Sequence, residues 1–304
     1  MRQMDIPLPT ARAALGPVFR VMMYHRLPFT VQRVLMELVA SARRLPRGST
    51  IESIRLGGRP AERVTCGPAS STRTLLYLHG GGYTIGSART HRALTALLAR
   101  EIGCPVHVPD YRRAPAHPFP AALDDAEFAF LELVESGYRP ESIAIAGDSA
   151  GGGLALALAQ RLRSSYGLTP AALGLIAPWV NPNLVPDRDR DLVIGKAWSR
   201  DCAAAYLAGG DGANPGYAPL LGDMRGLPPT YVQVDSSELL RDQCRDLVAR
   251  LRGSDVETRY TESSGLWHVA QLQAPLCAPA AALAAELAEF LRRAITTGQA
   301  RSPR

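Results

Sequence analysis

The sequence predicts an α/β fold, in which helices flank a mostly parallel central sheet and a helical cap covers one edge. Three observations support this prediction. From about Ile51 onward, short strand-like segments alternate with segments of helical spacing, which implies parallel strands joined by helices. The chain has 304 residues, 46% of them hydrophobic and 20% charged, which is enough for one large core. Two glycine-rich motifs each follow a strand-like apolar run.

Strands are predicted where short apolar or β-branched runs are bounded by turn residues. Eight segments meet this description: Ser53–Leu56, Glu62–Cys66, Thr74–Leu78, Val106–Val108, Ile143–Ala146, Leu173–Ala177, Tyr231–Val234 and Val256–Tyr260. Helices are predicted where apolar residues recur every three to four positions. Within this alternating region five segments have that spacing: Arg89–Glu101, Ala121–Val134, Gly151–Arg163, Arg241–Leu251 and Ala280–Ala294.

Two regions depart from the alternation and predict the cap. The N-terminal region contains two helical segments, Ala11–Met23 and Val31–Arg43, and no strand pattern. Residues 181–223 are rich in Pro, Asp and Gly and contain one helical stretch, Arg200–Leu207. A structureless loop of that length is unusual in a compact domain, so both regions are expected to fold over the sheet edge where α/β proteins bind ligands. The predicted division is a cap segment 1–50, a cap insertion 181–223, and a core of 51–180 and 224–304.

Composition and missing motifs exclude several classes of ligand. The formal net charge is +6, but the basic residues are scattered, which predicts no nucleic-acid partner. The five cysteines have no C-x-x-C spacing, which argues against a disulfide framework and a zinc site. The glycines of 147–153 complete neither a P-loop nor a dinucleotide fingerprint. The acidic run Asp187–Asp191 lacks the later residues of a calcium loop, so we expect a solvated charged loop, no metal and no cofactor.

No segment predicts stable membrane insertion. The apolar stretch Ala274–Leu287 is too short and contains two prolines. Near the N-terminus, Val18–Leu27 is interrupted by charged residues and lacks the cleavage site of a secretory signal. Together with the cysteine pattern, these features predict a cytoplasmic protein, as a monomer or as a homodimer that pairs through an edge strand.

The motif Gly147-Asp148-Ser149-Ala150-Gly151 predicts an exposed, reactive serine. It lies between a strand-like run and a helical segment, which is where serine hydrolases carry their nucleophile on a sharp turn. Glycines two residues either side of the serine avoid collisions with neighbouring backbone. The pattern G-x-S-x-G alone is common, and its placement between strand and helix is what makes Ser149 a candidate nucleophile.

A second motif, His79-Gly80-Gly81-Gly82, ends another strand-like run and predicts an oxyanion loop. Three consecutive glycines weaken regular structure, but bare backbone can turn its N–H groups toward a developing negative charge. We expect Gly81 and Gly82 to be the loop donors and Ala150 to be the third. His79 is expected to hold the loop through hydrogen bonds, and not to transfer protons.

A reactive serine also needs a base and a carboxylate that orients the base. In this class of site the chain order is Ser, Asp or Glu, then His, and His268 is the only histidine after Ser149. For the acid, the residues leave three alternatives that follow one strand-like run: Asp235, Glu238 and Asp242.

Together these motifs resemble the bacterial hormone-sensitive-lipase-like esterases, a family of α/β-hydrolases with an HGGG loop. The resemblance covers about residues 70 to 290 and includes Asp110–Ala121, similar to the family's D-Y-R-L-A-P-E-H-P-F-P-A but different at Arg113 and Ala116. This segment is expected to brace the sheet and the serine turn. Aligning Leu240-Arg241-Asp242 with the family's L-x-D places Glu238 on its catalytic acid and leaves Asp235 as the fallback.

The resemblance implies a serine carboxylesterase for short- to medium-chain acyl esters, with a Ser149–His268–Glu238 triad and a covalent acyl-enzyme. Its partner is then a small-molecule ester. Tyr83, Trp179 and Trp198 are candidate walls of the substrate pocket. Two alternatives remain open: removal of an acetyl group from an N- or O-acetylated metabolite, and a non-catalytic ligand-binding relative of the same fold.

Overall fold

A computed structural model describes residues 5–41 and 45–300 of the chain. Its centre is an eight-stranded sheet with the order β1-β2-β4-β3-β5-β6-β7-β8. The strands are β1 Ser49–Leu56, β2 Arg59–Cys66, β3 Thr74–Leu78, β4 Val106–Pro109, β5 Ile143–Asp148, β6 Leu173–Ile176, β7 Thr230–Asp235 and β8 Thr258–Ser263. Strand β2 runs antiparallel to β1 and β4, and the remaining neighbours are parallel. The predicted fold class is confirmed.

The helices occur where apolar spacing predicts them. They are α1 Leu8–Met22, α2 Phe29–Ser41, α3 Ala88–Ile102, α4 Ala121–Glu135, α5 Ala150–Tyr166, α6 Lys196–Leu207, α7 Arg241–Arg252 and α8 Ala278–Ala300. Helix α3 packs against α8 and α4 packs against α5, so helix pairs cover the sheet. The last residues of the predicted segment Val31–Arg43 lie outside the described residues.

Burial in the sheet core explains why the central strands could be predicted from the sequence. Every residue of β3, β5 and β7 is buried, since these central parallel strands are covered on both faces. Strand β8 begins two residues later than predicted. The chain turns before it, with Asp255 at a φ of 58° and the Val256 N–H bonded to the carbonyl of Leu251, so Val256 closes a helix end.

The parallel strands bring three distant parts of the chain to one edge of the sheet. Ser149 directly follows β5, Glu238 lies three residues after β7, and His268 lies five residues after β8. Since parallel strands end at the same edge, residues that follow them meet there.

Two side chains of α2 link this helix to α6 and to neighbouring loops. The Gln32 side chain is fully buried; it accepts a hydrogen bond from Nε1 of Trp198 at 2.8 Å and donates to the carbonyl of Leu27 at 2.8 Å. Arg33 donates to the carbonyls of Thr84 and Ala114, at 2.8 and 3.0 Å. These bonds fasten α2 to α6 and to the segment after the glycine loop. Of the helices in residues 5–41 and 45–300, none has the length and apolar character of a bilayer crossing.

Candidate active site

Ser149 occupies a sharp turn between β5 and α5. Its φ and ψ are 51° and −121°, a conformation that non-glycine residues rarely adopt and that is typical of functional sites. The Ser149 N–H donates to the carbonyl of Ile176 at 2.8 Å, which fixes the turn against β6. Gly151 allows the close approach of the end of the neighbouring strand β3, because a Cβ there would lie 2.0 Å from the Leu78 carbonyl oxygen.

A continuous series of hydrogen bonds joins Ser149, His268 and Glu238. Nε2 of His268 lies 2.9 Å from Oγ of Ser149, and Nδ1 of the same ring lies 2.6 Å from Oε2 of Glu238. The other carboxylate oxygen of Glu238 accepts the backbone N–H of Asp235 at 2.7 Å. All three side chains are buried, so water competes little for these bonds.

The three candidate carboxylates have different surroundings, and only Glu238 reaches the imidazole among the described residues. Asp242 is exposed and pairs with Arg241 at 2.8 Å. Asp235 is 1% exposed and accepts hydrogen bonds from the chain around it, at Ser237, Ser263 and Leu266.

The Glu238 carboxylate changes the acid–base behaviour of the imidazole. Burial opposes the charged ring, but the hydrogen bond and negative charge of Glu238 outweigh it and raise the pKa of His268 above its ordinary value. Burial in turn raises the pKa of Glu238, against the opposing effect of the imidazole. His268 therefore takes up a proton readily where it faces the serine hydroxyl.

The glycine loop presents free backbone donors beside this series. Gly81 and Gly82 have φ values of 124° and 58°, which glycine adopts without a steric penalty. A Cβ on Gly82 would also lie 2.8 Å from Cη2 of Trp198. Within the part of the chain that the structure describes, the N–H groups of Gly81, Gly82 and Ala150 donate to no protein acceptor. Such donors suit an oxygen that gains negative charge.

A buried carboxylate, Asp148, supports the glycine loop through a hydrogen bond. It accepts the N–H of Gly80 at 3.0 Å and the hydroxyl of Tyr77 at 2.8 Å, and it lies 3.2 Å from Nε2 of His91. These contacts, with the charge of His91, hold the pKa of Asp148 below its ordinary value against the effect of burial. The sequence motifs predict no role for Asp148. The signal that could have marked it is a charged residue at the end of an otherwise apolar strand.

His79 lies beside the loop in a form unsuited to proton transfer. Burial and the neighbouring His91 lower the pKa of His79 to about 3, so its ring is neutral. The ring stacks on Tyr111 with centroids 4.1 Å apart, and Nδ1 lies 2.9 Å from the carbonyl of Gly80. These contacts agree with the predicted bracing role.

Comparisons with known proteins identify the family. The sequence pattern of a family with the alpha/beta hydrolase fold matches residues 75–272. The chain is 38% identical over 258 residues to an acetyl-hydrolase of Streptomyces hygroscopicus, covering 80% of this chain and 86% of the relative. It is 33% identical over 273 residues to an esterase of Acinetobacter venetianus, covering 86% and 88%.

The structural comparison is decisive. The crystal structure of an esterase from the bacterial hormone-sensitive lipase family superposes with a TM-score of 0.90 at 34% identity, covering 94% of this chain and 98% of that one. The chain belongs to the bacterial hormone-sensitive lipase family. It is a carboxylic ester hydrolase, as its relatives are.

The esterase has a cavity that reaches from Ser149 and His268 to helices α1 and α2. Its walls come from α1, α2, the glycine loop, residues 193–198 and the segment after His268. The lining residues are Phe19, Met22, Met23, Met36, Val39, Ala40, Gly80, Gly81, Thr90, Asp148, Ser149, Val193, Ile194, Trp198, His268, Val269, Leu272 and Gln273. The walls are mostly apolar, so the cavity suits the hydrocarbon part of an ester.

The three aromatic residues predicted as pocket walls occupy different places in the esterase. Trp198 lines the cavity. Tyr83 and Trp179 are not among the described residues that line it. Tyr83 is buried and stacks on Tyr206 with centroids 3.8 Å apart, while Trp179 contacts a separate surface groove beside Asn183. The left-handed φ of 62° at Tyr83 belongs to a turn in which the N–H groups of Thr84 and Ile85 donate back to the carbonyl of Gly81, at 3.0 and 2.9 Å.

The charged run Asp187–Asp191 differs from the expectation of a wholly solvated loop. Asp191 is buried, and its carboxylate accepts the N–H groups of Val193 and Ile194, each at 2.8 Å. Its second oxygen accepts the N–H of Leu239 at 3.1 Å, next to Glu238. Asp191 thus joins a wall of the cavity to the loop that carries Glu238, and nothing in its local sequence pattern signals this long-range contact.

The segment Asp110–Ala121 braces the glycine loop, whereas the sequence predicts that it braces the sheet and the serine turn. Tyr111 donates its hydroxyl to the carbonyl of His79 at 2.6 Å, and Asp110 accepts the N–H of Ala88 at 2.7 Å. Arg113, where the segment departs from the family pattern, donates to the carbonyl of Gly86. This departure therefore adds a contact to the bracing segment.

Proposed function

We propose that the protein hydrolyses short-chain acyl esters by a covalent mechanism, with Ser149 as nucleophile, His268 as general base and Glu238 as the orienting acid. The observation that carries this proposal is the unbroken hydrogen-bond series from the Ser149 hydroxyl through the imidazole to the Glu238 carboxylate, at 2.9 and 2.6 Å. Each member of such a series needs the next one to act.

In the first half-reaction, Oγ of Ser149 attacks the ester carbonyl carbon while His268 takes the hydroxyl proton. The carbonyl oxygen becomes an oxyanion, which the N–H groups of Gly81, Gly82 and Ala150 stabilise. The carbon–oxygen bond to the alcohol then breaks, and His268 returns the proton to the leaving alcohol. Glu238 stabilises the charged imidazole throughout.

In the second half-reaction, water attacks the acyl-enzyme. His268 removes a proton from the water, the same donors hold the second oxyanion, and the proton passes to Oγ as the serine ester breaks. The products are a carboxylic acid and regenerated Ser149. This sequence uses only side chains and backbone groups of the chain, together with ester and water.

The size of the cavity favours short acyl groups. Its volume is about 50 Å³, well below the roughly 150 Å³ of an engineered protein cavity that binds benzene. An acetyl group or a slightly longer chain suits this space, with Met22, Met36 and Trp198 as its apolar walls. The acetyl-hydrolase of Streptomyces hygroscopicus among the relatives supports the same acyl class.

We assign the cap to residues 1–50 and 181–223 and the catalytic core to 51–180 and 224–304. The support is that α1, α2 and residues 193–198 line the cavity opposite Ser149. The cap then sets the acyl preference, while the core carries the reacting groups. The cytoplasmic location and the monomeric or homodimeric state stay predictions.

A second candidate function is removal of an acetyl group from an amine or a specialised metabolite. The name of the Streptomyces relative favours it, because it specifies the acetyl group and leaves the bond type open. Comparing rates on phenyl acetate and its amide twin acetanilide separates the two functions. Faster cleavage of the amide would replace the ester proposal.

The ester proposal is tested with p-nitrophenyl esters from acetate to octanoate. We expect turnover that is greatest for the short acyl chains and is abolished in Ser149→Ala. Ser164→Ala is the matched control, since Ser164 is exposed on α5 and bonds only within its own helix turn. Activity that survives in Ser149→Ala, or falls equally in both variants, overturns the proposal.

A further inference from the structure

We propose that Asp235 is a positioning residue that holds Glu238 and His268 in register for catalysis. The proposal rests on the proposed function and extends it to a residue that contacts neither the serine nor the imidazole ring among the described residues. Asp235 ends β7, and its side chain is 1% exposed. A carboxylate buried to this degree requires several hydrogen-bond donors around it.

One carboxylate oxygen of Asp235 organises the loop that carries the acid. Oδ1 accepts the backbone N–H of Ser237 at 3.0 Å and the hydroxyl of the same residue at 2.7 Å. This pattern is a tight turn closed by its own side chain, and it ends one residue before Glu238. The turn sets the direction in which the Glu238 side chain leaves the backbone.

The other oxygen reaches the loop that carries the base. Oδ2 accepts the hydroxyl of Ser263 at 2.9 Å and the backbone N–H of Leu266 at 2.9 Å. Leu266 lies two residues before His268, so this bond fixes the start of the histidine loop. The four bonds at the two oxygens connect the loops after β7 and β8 through one side chain.

The backbone of the same residue completes the arrangement. The N–H of Asp235 donates to Oε1 of Glu238 at 2.7 Å, while Oε2 of Glu238 faces His268. Asp235 therefore holds the acid through its N–H and the base through its carboxylate. A displacement of about 1 Å at reacting groups can lower a rate about a hundredfold, so this linkage affects turnover.

The chemistry explains why a carboxylate, and not an amide, occupies the position. The N–H of Leu266 and the N–H of Ser237 can only donate, and they approach different oxygens. In Asp235→Asn, one of these N–H groups faces an NH₂ group instead of an acceptor. The variant keeps the size of the side chain but breaks one of the two loop contacts.

The test compares Asp235→Asn and Asp235→Glu with Asp223→Asn. Asp223 also accepts the N–H two residues ahead, at Arg225, but it is on the surface, which makes it a matched control. We expect both Asp235 variants to lose about 10- to 100-fold in kcat on p-nitrophenyl acetate, with KM changed less than about threefold. Asp223→Asn keeps wild-type kinetics. Asp235→Glu retains the charge, so full activity in it would overturn a positioning role.

A second readout follows the imidazole directly. The proton shared by Nδ1 of His268 and Glu238, at 2.6 Å, is expected as a far-downfield proton resonance in the NMR spectrum of the wild type and of Ser149→Ala. We expect this resonance to be broadened or shifted in the Asp235 variants and unchanged in Asp223→Asn. An unchanged resonance in Asp235→Asn overturns the proposal, whatever its activity.

Two further variants complete the test of Asp235. If the Asp235 variants do not fold, Ser237→Ala/Ser263→Ala removes two donors and keeps the carboxylate, and we expect about a 3- to 10-fold loss in kcat with a shifted resonance. Wild-type kinetics and resonance in this variant overturn the proposal. Ser149→Ala is expected to be inactive and to retain the resonance. Esterase activity in Ser149→Ala would overturn the proposed function, and this outcome is distinct from those of the Asp235 variants.

Discussion

Nε2 of His268 lies 2.9 Å from Oγ of Ser149, although 119 positions of sequence separate the two residues. Each follows a different parallel strand, and the sheet brings both strand ends to one edge. The imidazole is also bonded to Glu238 on its far side.

Glu238→Gln is expected to lower kcat by about 10³- to 10⁴-fold on p-nitrophenyl acetate, because the amide no longer fixes the tautomer or stabilises the charged ring of His268. Asp242→Asn is the control; its carboxylate is exposed and paired with Arg241, so we expect unchanged kinetics. Asp235→Asn should lose less than Glu238→Gln. If Asp235→Asn is the more damaged variant, our assignment of the acid is wrong.

The pH dependence of kcat/KM reports the state of His268. The base must be neutral to accept the serine proton, so activity rises as pH rises through its pKa. Since Glu238 raises that pKa, the acid limb is expected above the ordinary histidine value of about 6.5.

Glu238→Gln removes the group that raises the pKa of His268, so the acid limb of its residual activity should move to lower pH. The measurement is a kcat/KM profile from pH 4 to 9 at about constant ionic strength, with Asp242→Asn in parallel. An acid limb at the same pH in wild type and Glu238→Gln would show that another group controls it.

Gly82→Ala is expected to reduce kcat by about 10²- to 10³-fold, the usual effect of losing an oxyanion donor. The new Cβ meets Trp198 at 2.8 Å, and the φ of 58° is strained for alanine, so the loop must shift. Gly58→Ala carries similar strain at a φ of 71° with nothing within 4 Å of its Cβ. Equal kinetic losses in the two variants would assign the effect to strain alone.

Trp198→Ala should enlarge the cavity and extend the acyl range. We expect the ratio of kcat/KM for p-nitrophenyl hexanoate over acetate to rise about tenfold or more, since one methylene contributes roughly 10- to 200-fold to discrimination. Trp198→Phe keeps most of the wall and serves as the control. An unaltered chain-length profile in Trp198→Ala would remove this residue from the acyl wall.

Trp198→Ala should also destabilise the folded protein. Trp198 is buried, and its Nε1 donates a hydrogen bond to the buried Gln32 side chain. We therefore expect Trp198→Ala to lower the free energy of unfolding by about 3 to 5 kcal/mol. Urea unfolding at constant pH measures it. Activity should therefore be compared at a temperature where circular dichroism shows both variants folded.

Much of the fold could be predicted from local patterns. Thr74–Leu78 and the start of Ile143–Asp148 match the predicted strands, because buried central strands are continuous apolar runs. Strand β8 was displaced in the prediction, since its edge position makes it polar and its apolar neighbour Val256 belongs to a turn. Edge strands carry a weaker apolar signal than central ones.

The candidate site could be predicted where short motifs contain its residues. The residues Ser149 and His268 follow from a turn pattern and from chain order, and the structure brings their side chains into contact. The choice among Asp235, Glu238 and Asp242 could not be made from the residues alone, because all three follow the same strand. Side-chain direction after a strand depends on turns such as the one that Asp235 closes.

The sequence by itself determined the alternation of strands and helices and the glycine turns, because these depend on neighbours within a few residues. It also predicted Ser149 and His268 as reacting groups, from a turn pattern and from chain order. Only the tertiary structure decided which carboxylate meets the imidazole, that Asp191 and Asp235 connect separate loops, and that Trp198 but neither Tyr83 nor Trp179 lines the cavity. Those outcomes depend on contacts between segments far apart in the chain, and their geometry is set by sheet order and packing.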